Sequence, residues 1–467
     1  MRLTAPALLL LLSACAGLVP QRPTEPPAVD VPVAWSSSRD GIEGRITTRE
    51  WWQAFNDPQL TSLVERSLQA NTDVQVAIAN LRQARALVTV QDATRLPQLD
   101  ASSSAQRSKS AGVPASNLFR AGFDASWEPD VFGANRAGLD AARADALASA
   151  ASLGDVQVSI AAEVATDYLQ WRGTGVRLNV ARENLKLQDE TLQIAQWRAQ
   201  AGLGTSLEVE QARAAAEQTR AQLPLLEATL AQTANSIAVL TARAPGQLPE
   251  LGRAGEAPIA PDGIALTIPA DTLRQRPDVR RAEQDVRAAA SRATQADAQR
   301  YPSFSLSGNI GLSALTLGAL GASGSGAAAL LAGVSVPLFN GGALKAQVDA
   351  RDAALAGAGS AYRGTVLTAL KDVEDSLVAL NSAQERRVTL QRAAEAADNA
   401  SLIARQRYGS GLIDFQTVLD TQRTQLSTQD SLAAARTDVA TAQVRLVKAL
   451  GGGWNPEETA LQAAGKP

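Results

Sequence analysis

The sequence predicts an α+β membrane protein in which one unit, a short β-hairpin followed by a long α-helical hairpin, occurs twice. Gly133 and Gly202 lie 69 residues apart, and Gly341 and Gly411 lie 70 residues apart, with an alanine-rich stretch between the members of each pair. A helix of that length would run roughly 100 Å, whereas helices in globular proteins usually have about 10–14 residues. Two helices of equal and extreme length, each after a strand-like pair, indicate an internal duplication.

The composition excludes several classes of function. The net charge is −3, so the chain lacks the basic surface of a nucleic-acid-binding protein. It has no histidine and one cysteine, which removes the commonest general base, the commonest metal ligand and any disulfide within the chain. We therefore expect no enzyme, no catalytic residues, no metal site and no cofactor other than a covalent lipid.

The N-terminus indicates a lipoprotein signal peptide over residues 1–14. A basic start is followed by an apolar run from Ala5 to Leu12, too short to span a bilayer, and then by Leu-Ser-Ala before Cys15. On this interpretation Cys15 becomes the acylated first residue, and several acyl chains make a stable anchor. The alternative is ordinary cleavage with an incidental cysteine. Ala16, rather than Asp, resembles a sorting signal for the outer membrane. Residues 15–50, proline-rich from Val19 to Pro32, are predicted to be an extended tether.

The first repeat is predicted over residues 51–243. Asp57 is a suitable N-cap with Pro58 at the first helical position, so a helix starts there. Strands are expected at about 98–108 and 118–129, because apolar residues alternate there with polar ones. Long helices are expected at about 133–201 and 205–243. A linker dense in glycine and proline follows at 244–268.

The second repeat is predicted over residues 269–453 and has the same order of elements. Its strands are expected at about 303–313 and 328–337, and its long helices at about 341–409 and 414–450. Residues 454–467 are a C-terminal tail. Leucine, alanine and valine recur every seven residues in the long helices, which indicates coiled-coil packing; the repeating positions include Leu139, Ala146, Leu153, Ile160, Val366, Val373 and Leu380.

The four strands have the length and alternation of membrane β-strands. Four strands cannot close a barrel, and the open edges of a four-stranded sheet would be costly in lipid. If the strands enter a membrane, the chain must therefore oligomerise, and three copies give twelve strands. Two alternatives stay open: a small soluble sheet that caps a helical bundle, and a plain soluble coiled coil, which explains neither the strands nor the cysteine.

Four phrases resemble the outer-membrane factor family of tripartite efflux systems, the TolC/OprM-like channels, and in particular its NodT-type lipoprotein branch. They are WWQAFNDPQL at Trp51–Leu60, RPDVR at Arg276–Arg280 with Ala282 and Glu283, VPLFNGG at Val336–Gly342, and RYGSGLIDFQTVLDTQR at Arg407–Arg423. The resemblance covers nearly the whole mature chain. It implies a homotrimer with a twelve-stranded outer-membrane β-barrel and a periplasmic α-barrel of about 100 Å that narrows at the helix turns.

The resemblance also points to a periplasmic gate around the helix-turn tips at Gly202 and Gly411. Acidic residues at positions that resemble Asp420 line the entrance in the family, a residue resembling Glu208 helps to latch the coils, and Tyr408 matches a latch tyrosine. Asp414 lies beside them. Ile413 stands where the latch arginine would be. Three-fold symmetry would multiply each inward carboxylate into a ring; the alternative for Glu208, Asp414 and Asp420 is a solvated charge.

The resemblance implies a passive exit duct for small molecules, with a periplasmic adaptor and an inner-membrane RND-type pump as partners and lipid around the barrel. The lipid anchor favours the RND-type pump by analogy only. A type I protein-secretion outlet is one alternative. A non-conducting coiled-coil lipoprotein that tethers the envelope is another.

Overall fold

The computed structural model describes residues 19–36, 48–112, 114–248, 251, 255, 258 and 273–454. The first repeat consists of a 3-10 segment at Thr48–Phe55, helices α1 (Pro58–Ala70) and α2 (Thr72–Ala93), strands β1 (Gln98–Ser108) and β2 (Ser116–Trp127), and helices α3 (Ala134–Gln200) and α4 (Ser206–Leu240). The second repeat consists of α5 (Pro277–Ala298), β3 (Ser303–Ala314), a 3-10 turn at Leu317–Ala319, β4 (Gly326–Ser335), α6 (Ala343–Gly409) and α7 (Phe415–Ala449).

The long helices of the two repeats have equal lengths. Helices α3 and α6 have 67 residues each, and α4 and α7 have 35 each. The ends differ slightly from the sequence prediction. Helix α4 stops at Leu240 rather than near 243, because Ala242 adopts a positive φ of 56°. Strand β2 stops at Trp127 and β4 at Ser335, each two residues before a proline, which has no N–H for a sheet.

The four strands form one antiparallel sheet in the order β1-β2-β3-β4, so the strand pairs of both repeats lie side by side. The register sorts the side chains onto two faces. One face is apolar and includes Leu99, Phe119, Phe123, Trp127, Leu306, Ile310, Leu330 and Val334. The other is mostly polar and includes Asp100, Ser102, Ser104, Arg120, Asp124, Ser307, Asn309 and Ser313.

The main core lies where α1 and α2 pack on the middle of α3. Asp57 caps α1 as its sequence predicts, and its carboxylate accepts from the backbone N–H groups of Gln59 and Leu60 at 2.9 and 3.1 Å. The hydroxyl of Tyr168, which is fully buried on α3, donates to the same carboxylate over 2.8 Å. One aspartate therefore ends a loop, starts a helix and fixes that helix to the long one.

Helices α3 and α6 are buried very differently although their lengths match. Helix α3 packs against α1, α2, α4, α5 and α7, whereas α6 packs against α5 and α7. Between Ala343 and Val366, Val348 alone of α6 is buried within the described chain. The first third of α6 is therefore much less buried in this chain than α3 is.

The proline-rich stretch after Cys15 is packed on the protein body over residues 19–36 rather than free. Arg22 forms ion pairs with Asp297 on α5 at 2.8 Å and with Asp352 on α6 at 3.1 Å. Trp35 is buried against Val373, Leu377 and their neighbours on α6 and α7. The prolines favour an extended backbone. Arg22 and a few apolar side chains hold this segment, residues 19–36, against the helices, and we call it the strap. Cys15 lies outside the described residues.

The predicted linker also contacts the body where it is described, because Leu251 is buried and the Gly255 carbonyl accepts from Arg172 Nε over 3.1 Å. Helix α5 was not predicted as a separate element, although Pro277 at its first turn is a start signal. None of the described helices is long and apolar enough to cross a membrane.

Candidate gate at the tips of the helical hairpins

The two helical hairpins turn with the same backbone. Gly202 and Gly411 adopt φ values of 72° and 73°, the left-handed region that glycine enters without strain. In each turn the N–H that follows the glycine bonds back to the helix: Leu203 to the Arg198 carbonyl at 2.8 Å, and Leu412 to the Arg407 carbonyl at 2.9 Å. Both are glycine-terminated helix ends of the Schellman type. The predicted tip glycines thus lie at equivalent positions.

The structure brings Glu208 and Tyr408 together across the two tips. The Tyr408 hydroxyl donates to Glu208 Oε2 over a long 3.4 Å. Its ring packs on Phe415 with ring centroids 5.3 Å apart, and the Arg198 guanidinium carbon lies 4.7 Å from the ring centroid. Arg198 also donates to the Tyr408 carbonyl over 3.3 Å. We call Arg198, Glu208, Tyr408 and Phe415 the cross-tip cluster, since it joins the first hairpin to the second.

The electrostatics of the cross-tip cluster favour a neutral tyrosine. Burial raises the pKa of Tyr408, the nearby Glu208 carboxylate raises it further, and Arg198 opposes both. Tyr408 therefore stays protonated and remains a hydrogen-bond donor throughout the neutral range. The Arg198 cation interacts favourably with the face of the Tyr408 ring, and the Glu208 anion accepts from the Tyr408 hydroxyl.

Asp414 starts α7 rather than facing the opposite hairpin. Its carboxylate accepts from both the backbone N–H and the hydroxyl of Thr417 at 2.7 Å, and these bonds lower its pKa. Thr205 has the equivalent task in the first hairpin, where its hydroxyl accepts from the Glu208 N–H at 3.3 Å. The geometry of Asp414 is that of a helix cap.

Asp420 is exposed on α7, two and a half turns above the tip. Gln416 donates to its Oδ1 over 3.0 Å, and Arg423 lies 3.8 Å away on the next turn of the same helix. The structure does not bring Asp420 into the cross-tip cluster. The nearby Arg423 partly offsets the charge of Asp420.

Above the cross-tip cluster, the two hairpins meet through side-chain amides. Gln422 donates to the Thr191 hydroxyl over 2.8 Å, and Asn184 donates to the Gln429 amide oxygen over 2.7 Å. Asp398 accepts from Gln425 and Gln429 at 3.1 and 2.6 Å. Sequence reasoning missed this layer and missed Arg198. A basic residue in the last turn of α3 was the one available signal for Arg198, and it does not identify a partner 210 residues away.

The chain is similar in sequence and in fold to known proteins of one family. The family model described as outer membrane efflux protein matches residues 63–243 and 268–452. The chain is 31% identical to the solvent efflux pump outer membrane protein SrpC of Pseudomonas putida, over 96% of this chain and 97% of that one. It is also 31% identical to nodulation protein T of Rhizobium leguminosarum bv. trifolii, over 97% and 98% of the two chains.

The fold agrees with the solved structure of the outer-membrane channel OprN, with a TM-score of 0.85, 32% identity, and coverage of 92% of this chain and all of that chain. These names describe efflux and channel proteins, which confirms the prediction that the chain is not an enzyme. The family model matches both predicted repeats and confirms the resemblance drawn from the four sequence phrases. The chain belongs to the outer membrane efflux protein family.

Proposed function

We propose that this protein is the outer-membrane exit duct of a tripartite efflux system and works as a homotrimer. In this proposal three copies close a twelve-stranded β-barrel in lipid, and their helical hairpins form a tube in the periplasm. Small molecules leave passively through it, while an inner-membrane RND-type pump supplies the energy through a periplasmic adaptor. The duct itself needs no cofactor.

The observation that carries the proposal is the sheet. Its strands have 10 to 12 residues and present one largely apolar face, as membrane strands do. In the described chain β1 and β4 each pair on one side only. The free edges would leave backbone groups unpaired in lipid at several kcal/mol each, and further copies of the chain would pair them.

The strap supports a lipid anchor at Cys15. Arg22 binds Asp297, which lies six residues before the start of β3, so residue 22 is held near the junction of sheet and helices. The seven residues from Cys15 to Arg22 can span at most about 25 Å. An acylated Cys15 would therefore reach the membrane surface beside the barrel.

The tips support an adaptor at the other end. Leu203 and Leu412 occupy equivalent places in the two turns and are 70% and 73% exposed. Three copies would present six such leucines at the periplasmic end. An apolar rim of that kind suits a partner protein better than open water.

The oligomer is tested by native mass spectrometry of the full-length protein solubilised in detergent. We expect a species of three chains, because the strand edges need partners. A stable monomer that keeps its strand content would refute the barrel. Conductance in planar bilayers then separates a duct from a tethering lipoprotein, since the latter passes no current.

The anchor is tested by mass spectrometry of the N-terminal peptide. We expect lipid attached to Cys15 and no residues before it. Replacement of Cys15 by Ser should loosen the anchor and leave the trimer intact, because the barrel holds the membrane independently. An unmodified chain that begins at Ala16 or later would contradict lipidation.

A further inference from the structure

Two aspartates face each other in the sheet without a compensating charge. Asp100 on β1 and Asp124 on β2 are directly opposed in the antiparallel register. Like charges at such positions destabilise a sheet. The Ser102 hydroxyl donates to Asp124 Oδ2 over 2.6 Å, but neither acid has an ion pair with any residue that the structure describes. The two opposed carboxylates therefore oppose the pairing of β1 with β2.

The charges of the sheet are confined to the strands of the first repeat. Strands β1 and β2 carry Asp100, Arg107, Arg120 and Asp124, while β3 and β4 carry no charged residue. The register places Asp100, Arg120 and Asp124 on the polar face, and Arg107 at the far end of the apolar face. All the charge of the polar face therefore belongs to one hairpin.

These charges form two separated layers. The acidic layer lies near the helices, because β1 begins and β2 ends there. Arg120 lies four residues before Asp124 on β2, about 13 Å closer to the turn that joins β1 to β2. The layer between them contains Ser102, Gly122 and Gly311. A Cβ atom at Gly122 would lie 2.8 Å from Gly311 Cα, so β2 and β3 carry no side chain in that layer, and the Ser102 hydroxyl is the neutral group that contacts Asp124 there.

We propose that Asp100 and Asp124 determine charge selectivity inside the barrel. This inference rests on the proposed trimeric duct, in which the apolar face contacts lipid and the polar face lines the lumen. Three copies place six carboxylates at the periplasmic end of the lumen and three Arg120 side chains beyond them. The acidic layer concentrates cationic solutes and retards anionic ones before they meet the arginine layer.

The barrel is a better place for this selectivity than the helical tip. At the tip Asp420 has Arg423 within 3.8 Å, so each acid is accompanied by a base. In the acidic layer each chain contributes two carboxylates and no base. Inside a barrel that lipid surrounds, the low-dielectric wall also focuses the field of these carboxylates into the lumen.

The test uses the full-length protein in outer-membrane vesicles with one added cysteine, Ser126→Cys. Ser126 lies on the polar face, one layer from the acids, where it pairs with Gln98 and Ser307. The reaction rates of a cationic and an anionic methanethiosulfonate reagent of similar size are compared, with the chain that lacks the added cysteine as background. The ratio cancels any change in the reactivity of the thiol itself. We expect the cationic reagent to react about tenfold faster.

Two further variants connect the ratio to the charges. Asp100→Asn together with Asp124→Asn should bring the ratio close to one while the side-chain shapes are kept. Arg120→Gln should raise the ratio, because it removes the opposing charge and leaves the acids in place. An unchanged ratio in both variants, with trimers still present by native mass spectrometry, would overturn the inference.

A matched control separates this inference from the proposed function. Ala125 is the neighbour of Ser126 on the apolar face. Ala125→Cys should react with neither reagent, since lipid excludes both. If Ala125→Cys reacts as fast as Ser126→Cys, the barrel itself is refuted. Another outcome is that Ser126→Cys alone reacts, with a ratio of cationic to anionic rates that does not change when the charges are removed. That result would support the barrel and refute the role of Asp100 and Asp124 in charge selectivity.

Discussion

The two hairpin tips share a backbone and differ in chemistry. Gly202 and Gly411 have φ values one degree apart, and each tip follows a helix of 67 residues and precedes one of 35. Yet the first tip has Gly204, Thr205 and Glu208 where the second has Ile413, Asp414 and Thr417. Duplication therefore preserved the turn, while single substitutions made the two halves complementary to each other.

Gly204 shows how one small residue supports this complementarity. A Cβ atom at Gly204 would lie 2.8 Å from Glu208 Oε2, so a larger residue would push the carboxylate away from Tyr408. At the equivalent place Ile413 instead packs beside the cross-tip cluster. Gly204 leaves space for the Glu208 carboxylate, whereas Ile413 fills the equivalent space in the second tip with an apolar side chain.

The largest loss of stability is expected when Tyr408 of the second tip is replaced by the residue at the equivalent position of the first tip. Tyr408→Ala introduces the residue found at the equivalent position, Ala199, and removes a buried ring from between Arg198 and Phe415. We expect a local loss of about 3 kcal/mol, seen as faster hydrogen exchange in both tips. Tyr408→Phe keeps the ring and should cost about 1 kcal/mol or less. Equal exchange in both variants would show that the ring is unimportant.

The second prediction concerns a close approach of α3 and α7. A Cβ atom at Gly173 would meet Thr437 Oγ1 at 2.0 Å and Thr437 Cβ at 3.0 Å. Gly173→Ala should therefore lower the thermal stability by about 1–3 kcal/mol, despite the better helix propensity of alanine.

Its control uses the repeat. Ser382 is the equivalent residue of α6 and is exposed, so Ser382→Ala should leave the unfolding temperature nearly unchanged. Thr437→Ala should restore part of the stability that Gly173→Ala removes, because it deletes two of the clashing atoms. Without such recovery, the close approach is not the cause.

The third prediction addresses Asp420, the acid that the resemblance assigns to the periplasmic entrance. Asp420→Ala should weaken block by divalent cations and reduce cation selectivity modestly, with trimer assembly unchanged, because Arg423 already offsets part of the charge. In the first hairpin the equivalent residue is Gln211. Gln211→Asp should strengthen block if both hairpins face the bore at this level. Recordings identical to the wild type for Asp420→Ala would make Asp420 a solvated surface charge.

The smallest expected effect is a difference in pH dependence between the two helix caps, Asp414 at α7 and Thr205 at α4. Bonds from Thr417 lower the pKa of Asp414 below its usual 3.8. The stability that this cap contributes is therefore present above pH 3.8 and is lost as the pH falls through the lowered pKa. The Thr205 cap has no titratable group, so acid should lower the protection against hydrogen exchange, measured relative to the intrinsic exchange rate at each pH, at the start of α7 and not at the start of α4.

Asp414→Thr gives the second tip the cap of the first and should abolish this pH difference. Hydrogen exchange measured at several acidic pH values checks both chains. If the two tips respond equally to acid in the unaltered protein, the Asp414 cap does not control that end of α7.

The sequence by itself determined the repeated architecture. Glycine at the two turns, Asp57-Pro58 at a helix start and alternating apolar residues in the strands act locally, so their effects can be read without knowledge of the fold. The same holds for family membership, because the four phrases are contiguous. The sequence also placed Glu208 and Tyr408 near the hairpin tips, through their closeness to the turns and the family resemblance.

Only the tertiary structure decided which side chains meet across the repeats. Arg198 and Tyr408 are 210 residues apart, Arg22 and Asp352 are 330 apart, and no periodicity within one helix predicts either contact. The register of the strands is likewise decided by tertiary structure. Asp100 and Asp124 become neighbours only when β1 and β2 pair in one particular alignment. Local sequence sets where a chain turns, but packing between distant elements sets which charges and rings share one place.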